Sequence, residues 1–281
     1  MIYMCDEAID KLIKEDTPYI DLTTLVLDIN NEKGKITFIS REDGVLACSE
    51  EVVRIFDKLN ITTKQFLPTG SIIQKGEPLI VGEGNVGNLH MAWKVCLNIL
   101  EYCCGMATRT KRLVDKAQKE NEKISIVTTR KIFPGTKELA IKSILAGGAY
   151  PHRLGLSETI LIFEQHLNFY GGIDNVVKNM IDIKRKACEK KVIVEVETLE
   201  DAIKLARVGV DGLQFDKLSP TELKECVKEV RSINESITLV GAGGINESNV
   251  AEYASTGIDA VATTCLYFGK PLDMTAKIDR V

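Results

Sequence analysis

Histidine, tryptophan and clustered cysteine are what this chain has least of. Three histidines and one tryptophan occur in 281 residues. No H-x-x-x-H spacing or His–Cys cluster exists, so a structural zinc site has no ligand set. The eight cysteines (Cys5, Cys48, Cys96, Cys103, Cys104, Cys188, Cys226 and Cys265) never fall at C-x-x-C spacing. Most lie in apolar context and read as reduced core thiols; the vicinal pair Cys103-Cys104 admits a redox reading, but packing on a buried helix is the commoner outcome. No apolar stretch reaches the roughly 18 residues a membrane span needs. Basic runs and RGG-like tracts are absent and the net charge is −4, which argues against a nucleic-acid coat yet permits a local cationic pocket. The opening MIYMCDEAIDKLIKED is acidic and amphipathic, unlike a signal peptide, so a cytoplasmic location is expected. Internal repeats and low-complexity linkers are missing too.

What is present describes an ordinary globular chain, 44% hydrophobic and 27% charged, long enough for one large or two ordinary domains. Residues 4–15 carry Met4, Ala8, Ile9, Leu12 and Ile13 at helical spacing. Residues 35–40 and 45–48 alternate around Gly44 and read as paired strands, followed by a helix over 50–59. Short apolar pairs between Gly and Pro turns over 61–84 predict a small antiparallel sheet. Residues 88–117 form one long helical pattern with a candidate break at Gly105. From Ile124 the grammar changes. Strands fit 124–127, 159–163, 192–196, 212–215, 237–241 and 259–263; helices fit 137–145, 174–190, 199–207, 219–233 and 246–255. That alternation predicts parallel strands joined by right-handed crossovers. One helix per strand, with no second Rossmann signal, favours a barrel over a doubly wound sheet, and six strands make it incomplete. The fold class expected is a mixed α+β and α/β chain: an N-terminal α+β sandwich domain over 1–103 and an incomplete α/β barrel over 104–265.

Residues 128–166 set four cationic or potentially cationic groups on either side of one helix. Arg130 and Lys131 emerge where a β-branched strand ends, which is where α/β folds place ligands. Pro134 and Gly135 break the chain, a helix follows, and His152 and Arg153 come just after Gly147-Gly148. Any single one of these reads most simply as a surface cation. Together they form a candidate anion pocket, since arginine grips carboxylate or phosphate in bidentate fashion. Other strand ends are polar as well: Glu195 and Glu197 close VIVEVE, Asp216 closes GLQFD, and Thr263-Thr264 close DAVATT. Gly241–Gly244 form a glycine-rich turn before a helix, a candidate phosphate cradle, although tight turns need glycine anyway. Glu195, Glu197 and Asp216 require a cation or a metal if they are drawn inward. They suit Mg²⁺ held against a pyrophosphate; a salt bridge to Arg130 or Lys131 is the alternative, strongest for Glu197. Glu164 and His166 read as supporting or core residues.

The motifs Asp21-Leu22-Thr23-Thr24, Ala92-Trp93-Lys94-Val95, Thr129-Arg130-Lys131, Pro134-Gly135 and Pro151-His152-Arg153-Leu154-Gly155-Leu156 carry a family resemblance. In order and spacing, from about residue 16 to about residue 270, the chain resembles the type II phosphoribosyltransferases typified by quinolinate phosphoribosyltransferase (nicotinate-nucleotide pyrophosphorylase, carboxylating) of NAD biosynthesis. It is most similar to the branch called ModD, named for its association with molybdenum transport genes. The resemblance implies that a ring nitrogen attacks 5-phosphoribosyl 1-pyrophosphate and pyrophosphate leaves. It implies the type II fold, with 266–281 folding back onto the first domain. It implies a pocket in which Arg130, Lys131, His152 and Arg153 meet the acid and the pyrophosphate, with Lys131, Glu195 and Asp216 as the catalytic group. Glu195 and Asp216 would hold the ribose hydroxyls and Mg²⁺–pyrophosphate, and Gly243, Gly244 and Thr264 the 5-phosphate. A homodimer or higher oligomer is implied, with Lys94 of one copy reaching the other's site.

The chain also departs from the quinolinate enzymes. Lys94 stands for an arginine, Phe163 for a lysine, Ala242 for a serine and Thr264 for a glycine. Losing bidentate recognition and one pocket charge predicts an acceptor less anionic than quinolinate. A rival reading makes the barrel a non-catalytic phosphometabolite binder associated with molybdenum transport. A third makes it another phosphate-using barrel enzyme, for which Lys131 is the sole Schiff-base candidate.

Overall fold

The structure is a computed structural model describing residues 2–281. The described residues form two compact units: residues 2–111, 132–148 and 266–281 make the first, and residues 112–131 and 149–265 the second. The segment 132–148, expected within the barrel, therefore belongs with the first unit.

In the first unit a four-stranded antiparallel sheet runs in the order Met274–Arg280, Lys33–Ser40, Pro78–Asn85, Thr62–Phe66. Ile36 and Phe38 alternate inward from the second of these strands, as a half-buried strand demands. They join Ile9, Ile55, Phe56, Leu79, Ile80 and Leu89 in one apolar core. The pairing expected between 35–40 and 45–48 does not form. Gly44–Val45 pairs with Ile72–Ile73 instead, because Lys33–Ser40 already has a partner on each side. The long helix Val86–Glu120 is unbroken at Gly105. Glycine serves close approach there, since a Cβ would lie 3.0 Å from Leu272 N and Lys270 O.

This unit also buries a cation. The ammonium of Lys142, on the helix Lys137–Ala146, lies 2.7 Å from Glu50 Oε2 and 2.6 Å from Glu51 Oε2. Burial pushes the Glu50 carboxyl up, but hydrogen bonds from Lys142 and Thr69 more than offset it and hold the group at about 2.

The second unit is a parallel seven-stranded sheet in the order Tyr150–Pro151, Ser125–Thr128, Ala260–Thr263, Thr238–Ala242, Gly212–Asp216, Val192–Val196, Ile160–Ile162. Chain order follows the ring, and among the described residues the unpaired seam lies between Tyr150–Pro151 and Ile160–Ile162. This is the incomplete barrel, with one strand more than the pattern of the sequence shows. Tyr150–Pro151 is too short to carry a period, and its proline is tolerated at a sheet edge. Strands such as VIVEV and GLQFD are buried on both faces, which is why they read as nearly continuous apolar runs. Small interior residues Val127, Val240, Ala242, Ala260 and Ala262 pack together inside.

Helix ends shift where side chains compete with the backbone. The helix Pro220–Ile233 begins with proline at its first position, and Ser219 and Glu222 cap it reciprocally, as a capping box does. The helix expected over 246–255 shrinks to Val250–Ala254. Asn246 Oδ1 takes the Ser248 N–H at 2.9 Å and Asn249 Oδ1 takes the Asn246 N–H at 2.8 Å, so residues 246–249 turn instead of coiling. The helix expected over 174–190 spans Gly172–Lys186. Among the described residues no helix is long and apolar enough to cross a membrane.

Candidate active site

Parallel strands aim their carboxyl ends the same way, and in this barrel those ends open on one cavity of about 880 Å³, within the range of small-molecule sites. Arg130, Lys131, His152, Arg153 and Phe163 line it together with Glu195, Asp216, Gly243, Gly244 and Thr264. All but Glu195, the penultimate residue of Val192–Val196, follow or end a strand: Arg130 and Lys131 follow Ser125–Thr128, His152 and Arg153 follow Tyr150–Pro151, and Phe163 follows Ile160–Ile162. Lys94 is not in the lining. It is exposed on the long helix of the first unit, with its ammonium 4.7 Å from the Trp93 ring centroid.

The cationic wall is less charged than its composition suggests. Burial, and then the neighbouring Arg153, push the His152 imidazole below 6.5, so it is mostly neutral near neutral pH. Its backbone N–H is fixed on Thr128 O at 3.0 Å. The Arg153 guanidinium carbon stands 5.8 Å from the Phe163 ring centroid, and Phe163 in turn stacks on His166 at 5.9 Å. Phe163 therefore acts as a platform for Arg153. His166, exposed rather than buried in the core, accepts the Phe163 N–H through Nδ1 at 3.0 Å.

The acidic wall is built on two adjacent strands. Glu195 and Gln214 are register partners on Val192–Val196 and Gly212–Asp216, so their side chains share the interior face. Gln214 Nε2 donates to Glu195 Oε2 at 2.6 Å. Burial raises the Glu195 carboxyl above its ordinary 4.5; Gln214 opposes the shift while Asp216 and Glu197 add to it. Glu197 lies beyond the strand end and is exposed. Among the described residues, neither Glu195 nor Glu197 forms the salt bridge with Arg130 or Lys131 that the sequence left open. Asp216 instead meets Lys217, with Nζ 2.6 Å from Oδ2.

After Thr238–Ala242 the chain turns through Gly243 (φ 86) and Gly244 (φ 72). A Cβ on Gly243 would sit 2.6 Å from Lys217 N and 2.8 Å from Asp216 Oδ1, so only glycine fits. Nothing stands within 4 Å of such an atom on Gly244, which leaves the turn open toward a ligand. The expected helix dipole is missing, since the next helix begins only at Val250; any anion here would meet local N–H groups. At the neighbouring strand ends Thr129 and Thr264 share a hydroxyl hydrogen bond at 2.8 Å, and Lys131 N donates to Thr129 Oγ1 at 3.2 Å. The hydroxyl of Thr264 thus ties two strand ends together where a glycine would leave a gap.

Among the lining residues not singled out from the sequence are Gln214 and Lys217. Gln214 was detectable as the one amide interrupting the buried run GLQFD, and Lys217 as a cation directly after a strand-terminal aspartate.

Comparisons with known proteins agree with this architecture. Residues 21–104 match the quinolinate phosphoribosyl transferase N-terminal domain and residues 106–277 match its C-terminal domain. The putative pyrophosphorylase ModD of Pasteurella multocida is 32% identical over 100% of this chain and 99% of its own. The probable nicotinate-nucleotide pyrophosphorylase [carboxylating] of Methanothermobacter thermautotrophicus is 28% identical over 97% of this chain and 98% of its own. The crystal structure of nicotinate-nucleotide pyrophosphorylase from Ehrlichia chaffeensis superposes with a TM-score of 0.90 at 25% identity, covering 99% of this chain and 100% of that one. With both domain models matched in order and the barrel mouth built as described, the chain belongs to the quinolinate phosphoribosyl transferase family.

Proposed function

We propose that this protein transfers a phosphoribosyl group from 5-phosphoribosyl 1-pyrophosphate to the ring nitrogen of a heterocyclic carboxylic acid, releasing pyrophosphate. The observation that carries it is a single cavity with Arg130, Lys131 and Arg153 on one wall and Glu195 and Asp216 on the other. The nitrogen lone pair forms the new bond to the anomeric carbon as the bond to the pyrophosphate oxygen breaks. Positive charge develops on the ribosyl ring and negative charge on the leaving group, so alignment and charge placement supply the catalysis. Glu195, ionised, faces the ribosyl side. The cations face the pyrophosphate and the acceptor's carboxylate, with neutral His152 as a hydrogen-bonding partner. Family membership favours this reading over a non-catalytic metabolite binder.

Mg²⁺ fits as a guest of the substrate. Among the described residues no cluster of three or more His, Cys, Asp or Glu is arranged to hold a metal. Glu195 and Asp216 would contribute a minority of its oxygen ligands, the rest coming from pyrophosphate and water. When bound, the ion neutralises charge on the leaving group.

The acceptor we propose is less anionic than quinolinate. With Phe163 in the pocket, a second carboxylate would lack a charged partner, at a cost of about 1–3 kcal/mol. We also propose a cytoplasmic homodimer in which Lys94 serves the partner's site. Tyr19, Ile20, Leu22, Leu25, Val26 and Leu27 are all more than half exposed, and so dense an apolar stretch calls for a cover. The test is pyrophosphate release from the phosphoribosyl donor and Mg²⁺ with quinolinate and, separately, nicotinate. Release favouring the monocarboxylate supports the reading; release with quinolinate alone contradicts the acceptor assignment, and silence across a panel of nitrogen heterocycles contradicts the transfer itself.

A further inference from the structure

We propose that Lys217 is a phosphate-binding residue whose ammonium, parked on Asp216 in the free chain, moves to a phosphate oxygen of the ribosyl donor. The inference rests on the transferase reading above and adds to it a residue that no motif singled out.

The backbone is the first observation. Lys217 has φ 59, a left-handed conformation costly for a residue with a β-carbon. It is held there by its N–H, which donates to Ala242 O at 3.0 Å. Strain of this kind is kept where a side chain must be aimed. Here the aim is into the cavity, which Lys217 lines.

The second observation is its neighbourhood. The space a Cβ would take at Gly243 lies 2.6 Å from Lys217 N and 2.7 Å from Lys217 Cγ. The stem of Lys217 therefore runs along the double-glycine turn proposed to cradle phosphate. Its side chain is 74% exposed while that of Asp216 is 18% exposed, so the flexible partner of the pair is the lysine. Asp216, Glu197 and Glu195 favour its charged form.

The third is competition. Asp216, whose carboxylate holds Lys217, is also the carboxylate proposed above to meet Mg²⁺–pyrophosphate. Its arrival releases an ammonium within reach of the incoming anion, and a flexible point charge suits a phosphate whose final position differs from its first. The pair then works as an exchange: Asp216 passes from lysine to metal, and Lys217 from carboxylate to phosphate.

Calorimetric titration of the whole protein with Mg²⁺ and inorganic pyrophosphate, and separately with ribose 5-phosphate, tests this. The proteins compared are wild type, Lys217→Gln, Lys217→Arg and Lys217→Gly. We expect Gln and Gly to weaken at least one ligand by about tenfold or more and Arg to retain it. Loss confined to pyrophosphate assigns the ammonium to the leaving group, and loss confined to ribose 5-phosphate assigns it to the 5-phosphate. The Gly variant relieves the left-handed backbone, so it should melt no lower than wild type and carries the test if Gln folds poorly. Unchanged affinity for both ligands in Gln and Gly overturns the inference and leaves the transferase reading standing. A wild type that binds neither ligand overturns both.

Discussion

Gln214 and Glu195 are joined across two parallel strands by a 2.6 Å hydrogen bond from amide to carboxylate. That bond favours the ionised form of a carboxyl that burial pushes above 4.5. If the reaction uses ionised Glu195, kcat/KM falls on the acid side with a midpoint above 4.5. Gln214→Leu keeps the bulk and removes the donor. The acid limb should then move to higher pH by about one unit, measured as the pH profile of kcat/KM. An unmoved limb would mean that Glu195 is not the group being titrated.

His152 offers a second pH signature. Its folded value lies below 6.5, so the unfolded chain holds more protons in the window beneath 6.5. Its contribution to stability is therefore complete above that window and shrinks as pH falls through it. An anion bound beside the ring favours the imidazolium and should raise the value. NMR titration of the His152 ring protons should give a midpoint under 6.5 in the free protein and a higher one with pyrophosphate.

Gly243→Ala should damage the phosphate turn directly. The substitution places a β-carbon 2.6 Å from Lys217 N in a left-handed conformation. Strain of about 1–2 kcal/mol from the backbone is joined by a steric shift of Asp216 and Lys217. KM for the phosphoribosyl donor should rise at least tenfold, while the apolar core, untouched, keeps the fold intact by circular dichroism.

Phe163→Lys addresses acceptor choice. The new ammonium would take the place of the ring that supports Arg153 and would offer a partner to a second carboxylate. The quinolinate-to-nicotinate ratio of kcat/KM should rise by about tenfold. A ratio that does not move would place the origin of acceptor preference elsewhere in the cavity.

Away from the site, Lys142→Met should lower stability by about 3 kcal/mol, because Glu51, whose side chain is 5% exposed, loses its counter-charge. Glu50 adds a pH dependence: folded near 2 against an ordinary 4.5, it contributes fully above 4.5 and progressively less as pH drops toward 2. Urea titrations of both proteins at neutral and acid pH check the two effects.

The barrel was legible because buried parallel strands leave apolar runs, and VIVEV and GLQFD stand out against helical spacing on either side. Tyr150–Pro151 left no such mark, having two residues and a proline. The retreat of the helix start from 246 to Val250 came from hydrogen bonds made by the side chains of Asn246 and Asn249, which periodicity does not register. Arg130, Lys131, His152 and Arg153 could be grouped because they cluster in sequence. The Glu195–Gln214 bond and the placement of Lys217 against Gly243 depend on strand register and on a left-handed residue, both settled by tertiary packing. Residues 132–148 were assigned to the barrel because they lie between two of its strands in the chain, yet Lys142 binds them to Glu50 and Glu51 of the first unit.

The most direct test of the account is phosphorus NMR of 5-phosphoribosyl 1-pyrophosphate with Mg²⁺, a pyridine monocarboxylate and either wild-type protein, Glu195→Ala or Asp216→Ala. Wild type should convert the donor to free pyrophosphate and a new phosphoribosyl product, and each variant, folded by circular dichroism, should lose at least a hundredfold in rate. Wild-type-like turnover in both variants would contradict the site.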